Sequence, residues 1–84
     1  MFYKLYIKEG CDNCKRTVEF MMKHKIEHVV LSQIDTTELI EEAKIQYDWP
    51  TVPIVVEING DDEKLIGGYV DMRKHFKNKG VKNV

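Results

Sequence analysis

The chain reads as an α/β fold, a small mixed sheet of four strands with three helices on both faces, in the order β-α-β-α-β-β-α. Three observations predict it. Short runs of β-branched and aromatic residues alternate with stretches of helical periodicity. Two cysteines, the only two in 84 residues, stand three apart directly after the first apolar run. Late in the chain, Asn59-Gly60-Asp61-Asp62 separates two strand patterns and folds them into a hairpin. Strands on either side of a helix call for a right-handed parallel crossover, while the hairpin adds an antiparallel pair. Such a sheet is covered by helices on each face.

Taken in order, residues 2–8 alternate as a first strand, which Glu9-Gly10 ends. A helix follows from about 12 to 25, with Cys14, Thr17, Val18, Met21 and Lys25 along one stripe and Phe20 off it. Ile26 to Leu31 is the second strand. Asp35 with Glu38 three residues on approximates a capping box, opening a helix with Leu39, Ile40, Ala43 and Tyr47 at core spacing. Trp49-Pro50-Thr51-Val52-Pro53 breaks that helix, because proline lacks the amide hydrogen and constrains the residue before it. Ile54 to Ile58 is the third strand and Glu63 to Ile66 the fourth. Gly67-Gly68 stops the fourth strand, and Tyr69, Met72 and Phe76 mark a last helix ending near Gly80. The sum is a thioredoxin-like layout, and residues 1–84 are expected to form a single domain.

Composition narrows the function. With 43% hydrophobic and 32% charged residues the chain has the balance of a water-soluble globular protein. No apolar run approaches the roughly 20 residues that span a bilayer, so no membrane partner is expected. Net charge is −1, which argues against nucleic acid as an obligatory partner. The charge is uneven, however: residues 1–34 carry +2, 35–63 carry −8 and 64–84 carry +5. The basic end (Arg73, Lys74, Lys77, Lys79, Lys82) could steer an acidic ligand or protein. A solvated helix face with a frayed tail is the plainer reading. No export signal is evident at the N-terminus, so a reducing, cytoplasmic location is expected. Nothing signals oligomerisation, so a monomer is expected. Ser32 is the only serine and no glycine-rich phosphate loop is present, which leaves serine hydrolases and phosphate binders without support.

The chemistry sits in Cys11-Asp12-Asn13-Cys14. Thiols at i and i+3 at a helix start can close a short disulfide. The first would lie where unpaired N–H groups and the helix dipole favour a thiolate. That suits thiol–disulfide exchange, one sulfur attacking and the other resolving. Half of a zinc site has the same spacing, and a plain structural bridge is a third reading. In a reducing compartment catalysis or metal is favoured over the bridge. Tetrahedral zinc needs about four ligands, and His24, His28 and His75 stand at no familiar finger spacing, so no metal is assigned.

Three motifs, in order over nearly the whole chain, resemble the glutaredoxin family. Tyr6 to Cys14 is similar to the family's strand-end tyrosine, its lysine three before the first cysteine, and its C-x-x-C. Thr51-Val52-Pro53 is similar to the family's threonine, valine and cis-proline. Ile66-Gly67-Gly68-Tyr69-Val70-Asp71 is similar to its glycine pair with an aspartate at the next helix start. The resemblance implies a glutathione-dependent thiol–disulfide oxidoreductase with Cys11 as nucleophile and Cys14 as resolving thiol. It implies glutathione binding by Lys8, Thr51, Val52, Pro53, Gly68 and Asp71. Lys8 would face the glycyl carboxylate, the Val52 backbone would pair with the peptide as an added strand does, and Asp71 would hold the glutamyl amine. Asp71 is equally readable as a helix cap, and Lys8 as a solvated strand-end lysine. The resemblance further implies no bound cofactor, with glutathione supplying electrons and renewed by NADPH through glutathione reductase. Disulfide-containing and glutathionylated proteins and, on the resemblance alone, ribonucleotide reductase are the implied substrates.

The chain also departs from the family pattern. Asp12-Asn13 stand where many relatives have proline and an aromatic, and the Asp12 charge opposes a thiolate at Cys11. Trp49 occupies a position that is often polar and ligand-binding, and Val70 replaces a common polar residue. Trp49 reads as a cover on the core edge slightly better than as a substrate stack. These departures keep two rivals in view: a redoxin reduced by thioredoxin reductase, and a carrier of an iron–sulfur cluster ligated with glutathione.

Overall fold

The computed structural model describes residues 1–33 and 38–82, with Gln33 as backbone alone. Its elements are β1 (Phe2–Lys8), α1 (Asp12–Lys23), β2 (His28–Gln33), α2 (Glu38–Tyr47), β3 (Ile54–Asn59), β4 (Asp62–Gly67) and α3 (Tyr69–Asn78). They form the expected four-stranded mixed sheet, ordered β2-β1-β3-β4. β1 runs parallel to β2 and antiparallel to β3, and β3 is antiparallel to β4.

The period-two pattern of the central strands decides which helix covers which face. Tyr3, Leu5 and Val55 pack with Met21 of α1 and with Met72 and Phe76 of α3. The alternate residues Tyr6, Ile54, Val56 and Ile58 pack with Ile40 and Ala43 of α2. Leu5, Ile54, Val55, Val56, Met21 and Met72 are wholly buried, each contributing roughly 1.5–3 kcal/mol of apolar transfer energy. α1 and α3 therefore share one face and α2 takes the other.

Where the structure differs from the sequence reading, local backbone geometry explains it. α1 ends at Lys23, two residues early, because Lys25 turns into the left-handed region at φ 54°. Ile26 consequently packs under the α1–α3 cluster, and β2 starts at His28. Leu39 is not a core residue: it is exposed, and α2 buries only Ile40 and Ala43. The Asp35 cap lies outside the described residues. The hairpin is tighter than expected, since Asn59 pairs with Asp62 and only Gly60 and Asp61 form the loop. Positive φ at Gly60 but not at Asp61 fits a II′ turn rather than an Asn-Gly I′ turn. Near its end β4 carries one extra residue, Ile66, opposite Val55 and Val56. This bulge redirects the chain into Gly67 and α3.

At the far end of α3 the packing is polar. Register opposes Tyr3 of β1 to Glu57 of β3. Glu57 Oε2 accepts hydrogen bonds from Tyr3 Oη (2.8 Å) and Lys79 Nζ (3.1 Å), and lies 3.0 Å from His75 Nε2. Burial alone would raise the Glu57 carboxyl, but the Tyr3 and Lys79 hydrogen bonds and the Lys79 and His75 charges hold it below its usual range. Burial and the Lys79 charge lower His75 despite the carboxylate beside it. Burial and Glu57 push the Tyr3 phenol upward. A neutral His75 carrying its proton on Nε2 satisfies these contacts.

Candidate active site

β1 delivers the chain to one corner of the sheet. Gly10 turns with φ 77°, and Cys11 becomes the N-cap of α1 with extended backbone (φ −104°, ψ 111°). Its carbonyl accepts the first helical hydrogen bond from Lys15 N–H, and its sulfur accepts one from Cys14 N–H at 3.1 Å. The sulfur thus occupies the place usually taken by a serine or aspartate cap oxygen. Cys11 and Cys14 are joined as a disulfide, with Cα atoms 5.2 Å apart. Cys11 is partly exposed whereas Cys14 is 1% exposed. Once the bond opens, the Cys14 amide and the helix N-terminus stabilise negative charge on Cys11. A charged hydrogen bond contributes roughly 1.5–3 kcal/mol and the dipole up to about 1. Beneath the pair, Thr17 is fully buried and donates its hydroxyl to the Asn13 carbonyl at 2.7 Å, which spares an orphan donor. Helical spacing places Thr17 on the inward stripe; its hydroxyl bond depends on the local fold of the first turn.

The opposite wall comes from the α2–β3 connection. α2 ends at Tyr47, Asp48 turns at φ 50°, and the Val52–Pro53 bond is cis, as the resemblance implied. The Val52 carbonyl oxygen lies 4.0 Å from Cys11 Sγ. Thr51 is exposed, Val52 half-buried and Pro53 buried. Trp49 packs against the α2-side core, as the core-edge reading had it, and its indole Nε1 is buried without a partner among the described residues.

The third segment adjoins the second. A Cβ placed on Gly68 would sit 3.8 Å from the Pro53 carbonyl oxygen and from Trp49 Nε1. Asp71, in the first turn of α3, reaches back so that Oδ2 accepts the Gly68 amide at 3.1 Å. Its capping role is therefore realised. Glycine is required at Gly67 rather than at Gly68: Gly67 has φ 121°, and a Cβ there would meet Asp71 at 2.9 Å.

The three motifs accordingly meet in one corner, Cys11 touching Val52 and Pro53 adjoining Gly68. Lys8 is exposed at the end of β1 and shares with Cys11, Asp12 and Lys15 a depression of about 400 Å³. Thr51, Val52, Gly68 and Asp71 do not line it. Among the described residues no three His, Cys, Asp or Glu side chains converge as a metal site would need.

A dithiol pair capping a helix, with one sulfur outward and beside a cis-proline turn, defines a thiol–disulfide oxidoreductase of thioredoxin-like fold. More narrowly, the chain belongs to the glutaredoxin family, whose model matches residues 4–62. A solved structure of a buckwheat glutaredoxin–glutathione complex is similar at a TM-score of 0.70 and 27% identity, covering 92% of this chain and 70% of that one. No curated protein matches the chain. The family match ends before Gly67, so Gly68 and Asp71 lie outside it.

Proposed function

We propose that the protein reduces protein disulfides and glutathione mixed disulfides with glutathione as electron donor, acting as a cytoplasmic monomer. The observation that carries this reading is the asymmetry of the pair: an outward Cys11 sulfur beside the Val52 carbonyl, above a buried Cys14. In the monothiol route the Cys11 thiolate attacks the glutathione sulfur of a mixed disulfide, and the substrate thiolate leaves. A second glutathione thiolate then attacks that sulfur, giving glutathione disulfide and freeing Cys11. In the dithiol route Cys11 attacks a protein disulfide and Cys14 attacks Cys11 Sγ. This expels the reduced substrate and forms the Cys11–Cys14 bond, which two glutathiones then reduce. NADPH and glutathione reductase restore the glutathione.

Glutathione lies extended along the corner in this reading. The Val52 backbone pairs with its peptide groups, between Thr51 and Pro53, and the Gly68 backbone lies alongside. Lys8 attracts the glycyl carboxylate. Asp71 attracts the glutamyl ammonium with the carboxylate oxygen that does not cap Gly68. The glutathione complex of the similar buckwheat protein supports glutathione as the ligand.

The test is NADPH consumption with glutathione, glutathione reductase and a small glutathione mixed disulfide. Wild type and Cys14→Ser should turn over, and Cys11→Ser should fall to the uncatalysed rate. Equal loss in both variants would overturn the division of roles. Turnover with thioredoxin reductase and none with glutathione would replace the donor.

A further inference from the structure

Outside the disulfide corner, α1 and α3 leave a groove of about 280 Å³ between them, lined in part by Arg16, Phe20, Lys23, His24, Tyr69 and Arg73. It begins at the site. Arg16 lies two residues beyond Cys14 and donates to Asn13 Oδ1 at 3.2 Å, and Tyr69 directly follows Gly68. From there α1 carries the lining to Lys23 and His24, about 10 Å further along the helix axis, the length of some three extended residues. Half-buried Phe20 packs between Phe76 and His24, with ring centroids 5.6 and 4.4 Å away. The Arg73 guanidinium lies over the Tyr69 ring at 5.6 Å. Through Arg73 the groove joins a second hollow of about 200 Å³ lined by Val70, Lys74 and Lys77.

Charge selects the occupant. Five cations (Arg16, Lys23, Arg73, Lys74, Lys77) border these two hollows against one carboxylate, Glu19, on a chain of net charge −1. Among the described residues none of the five is ion-paired; the acid–base contacts there lie elsewhere, at Lys4, Lys44, His75 and Lys79. Unpaired cations around aromatic rings suit carboxylate side chains, whose charges meet the cations while their stems cover the rings. A short groove interrupted by Glu19 suits an acidic peptide better than a continuous phosphate chain.

We infer that this groove holds a short acidic stretch flanking the reactive cysteine of a protein substrate, and so selects acidic protein substrates over basic ones. The inference rests on the thiol–disulfide exchange proposed above and names a substrate class for it. The groove adds no chemistry: it holds the peptide while Cys11 attacks the disulfide sulfur and the peptide's thiolate departs.

The test uses three peptides, each glutathionylated on a central cysteine, that differ only in three flanking glutamates, glutamines or lysines. At low salt kcat/KM should favour the glutamate over the lysine peptide by about tenfold or more, and the ratio should shrink as salt rises. Arg73→Glu, backed by the milder Arg73→Gln, should erase most of that preference while leaving turnover of a small mixed disulfide unchanged. A preference that is absent, or that survives both substitutions, would overturn the inference. A second arm needs no turnover. A cysteine-free glutamate peptide should shift the amide resonances of Phe20, Lys23, Tyr69 and Arg73. Such shifts in a protein inactive with glutathione would refute the proposed function and leave the groove standing. Normal activity with no shifts would do the reverse. An oligonucleotide that shifts the same amides more strongly would make the groove a general polyanion site and contradict the peptide reading.

Discussion

The two ends of the α1–α3 layer solve opposite problems with similar materials. At one end, Cys11, Val52, Gly68 and Asp71 meet where helices begin, and the groups that matter are backbone amides, a carbonyl and a partly exposed sulfur. At the other, Tyr3, Glu57, His75 and Lys79 meet where α3 ends, and one oxygen of the half-buried Glu57 carboxylate gathers three donors. The first end leaves acceptor and donor capacity open toward solvent; the second consumes its own. Chemistry belongs to the end that is incompletely satisfied, and the satisfied end fixes α3 to the sheet so that Gly68 and Asp71 stay in place.

Substitutions can break this contrast. The largest effect is expected on activity at Cys11 and on stability at Glu57. Glu57→Ala removes the acceptor from three donors and strands two of them, Tyr3 and His75, away from water, while exposed Lys79 is resolvated, at a cost of about 3 kcal/mol. Denaturant titration would read that loss. Turnover by the remaining folded protein should change little, and a large fall in kcat with unchanged stability would erase the distinction between the ends.

A smaller effect is expected at Gly67. Alanine there would combine φ 121° with a contact on Asp71, costing roughly 1–3 kcal/mol. Gly68→Ala, at φ −92° and with ordinary contacts, should cost less than about 1 kcal/mol. Thermal unfolding of the two variants side by side would reveal whether the strain is local to Gly67. Equal losses would show that it is not.

The smallest effect is on pH dependence. His75 is held below its ordinary 6.5, so as pH falls through that value the unfolded chain takes up a proton before the folded one does. Stability therefore declines from about pH 6.5 downward, and depressed Glu57 adds a second loss below its ordinary 4.5. Tyr3, raised above its ordinary 10.0, acts at the other limit: its contribution is lost as pH rises past that value. His75→Gln should flatten the decline just below pH 6.5. A stability profile unchanged by that substitution would contradict the role given to the cluster.

How much of this the sequence disclosed depends on the range of the interaction. The strands were legible because Leu5, Ile54, Val55 and Val56 sit in apolar runs that only a sheet covered on both faces can bury. Cys11 and Cys14 were legible because a helix start three residues long needs nothing distant. The end of α1 was not, since lysine has no preference for the positive φ that Lys25 adopts. Leu39 was misjudged because one side of a short helix is set by how it docks rather than by its spacing alone. The Glu57 cluster required the β1–β3 register and the position of α3 together, residues 54 and 18 apart, and no local pattern carries that. The α1–α3 groove is of the same kind: its cations were visible as a basic C-terminal stretch, but only packing set them beside Arg16 and Phe20.

In the proposed function an outward Cys11 does the chemistry while a buried Cys14 waits behind it. Intact mass after treating folded Cys14→Ser and Cys11→Ser with glutathione disulfide tests it most directly. One glutathione is expected on Cys14→Ser, removed by excess glutathione, and none on Cys11→Ser until the protein is unfolded. An adduct on native Cys11→Ser, or none on Cys14→Ser, would contradict it.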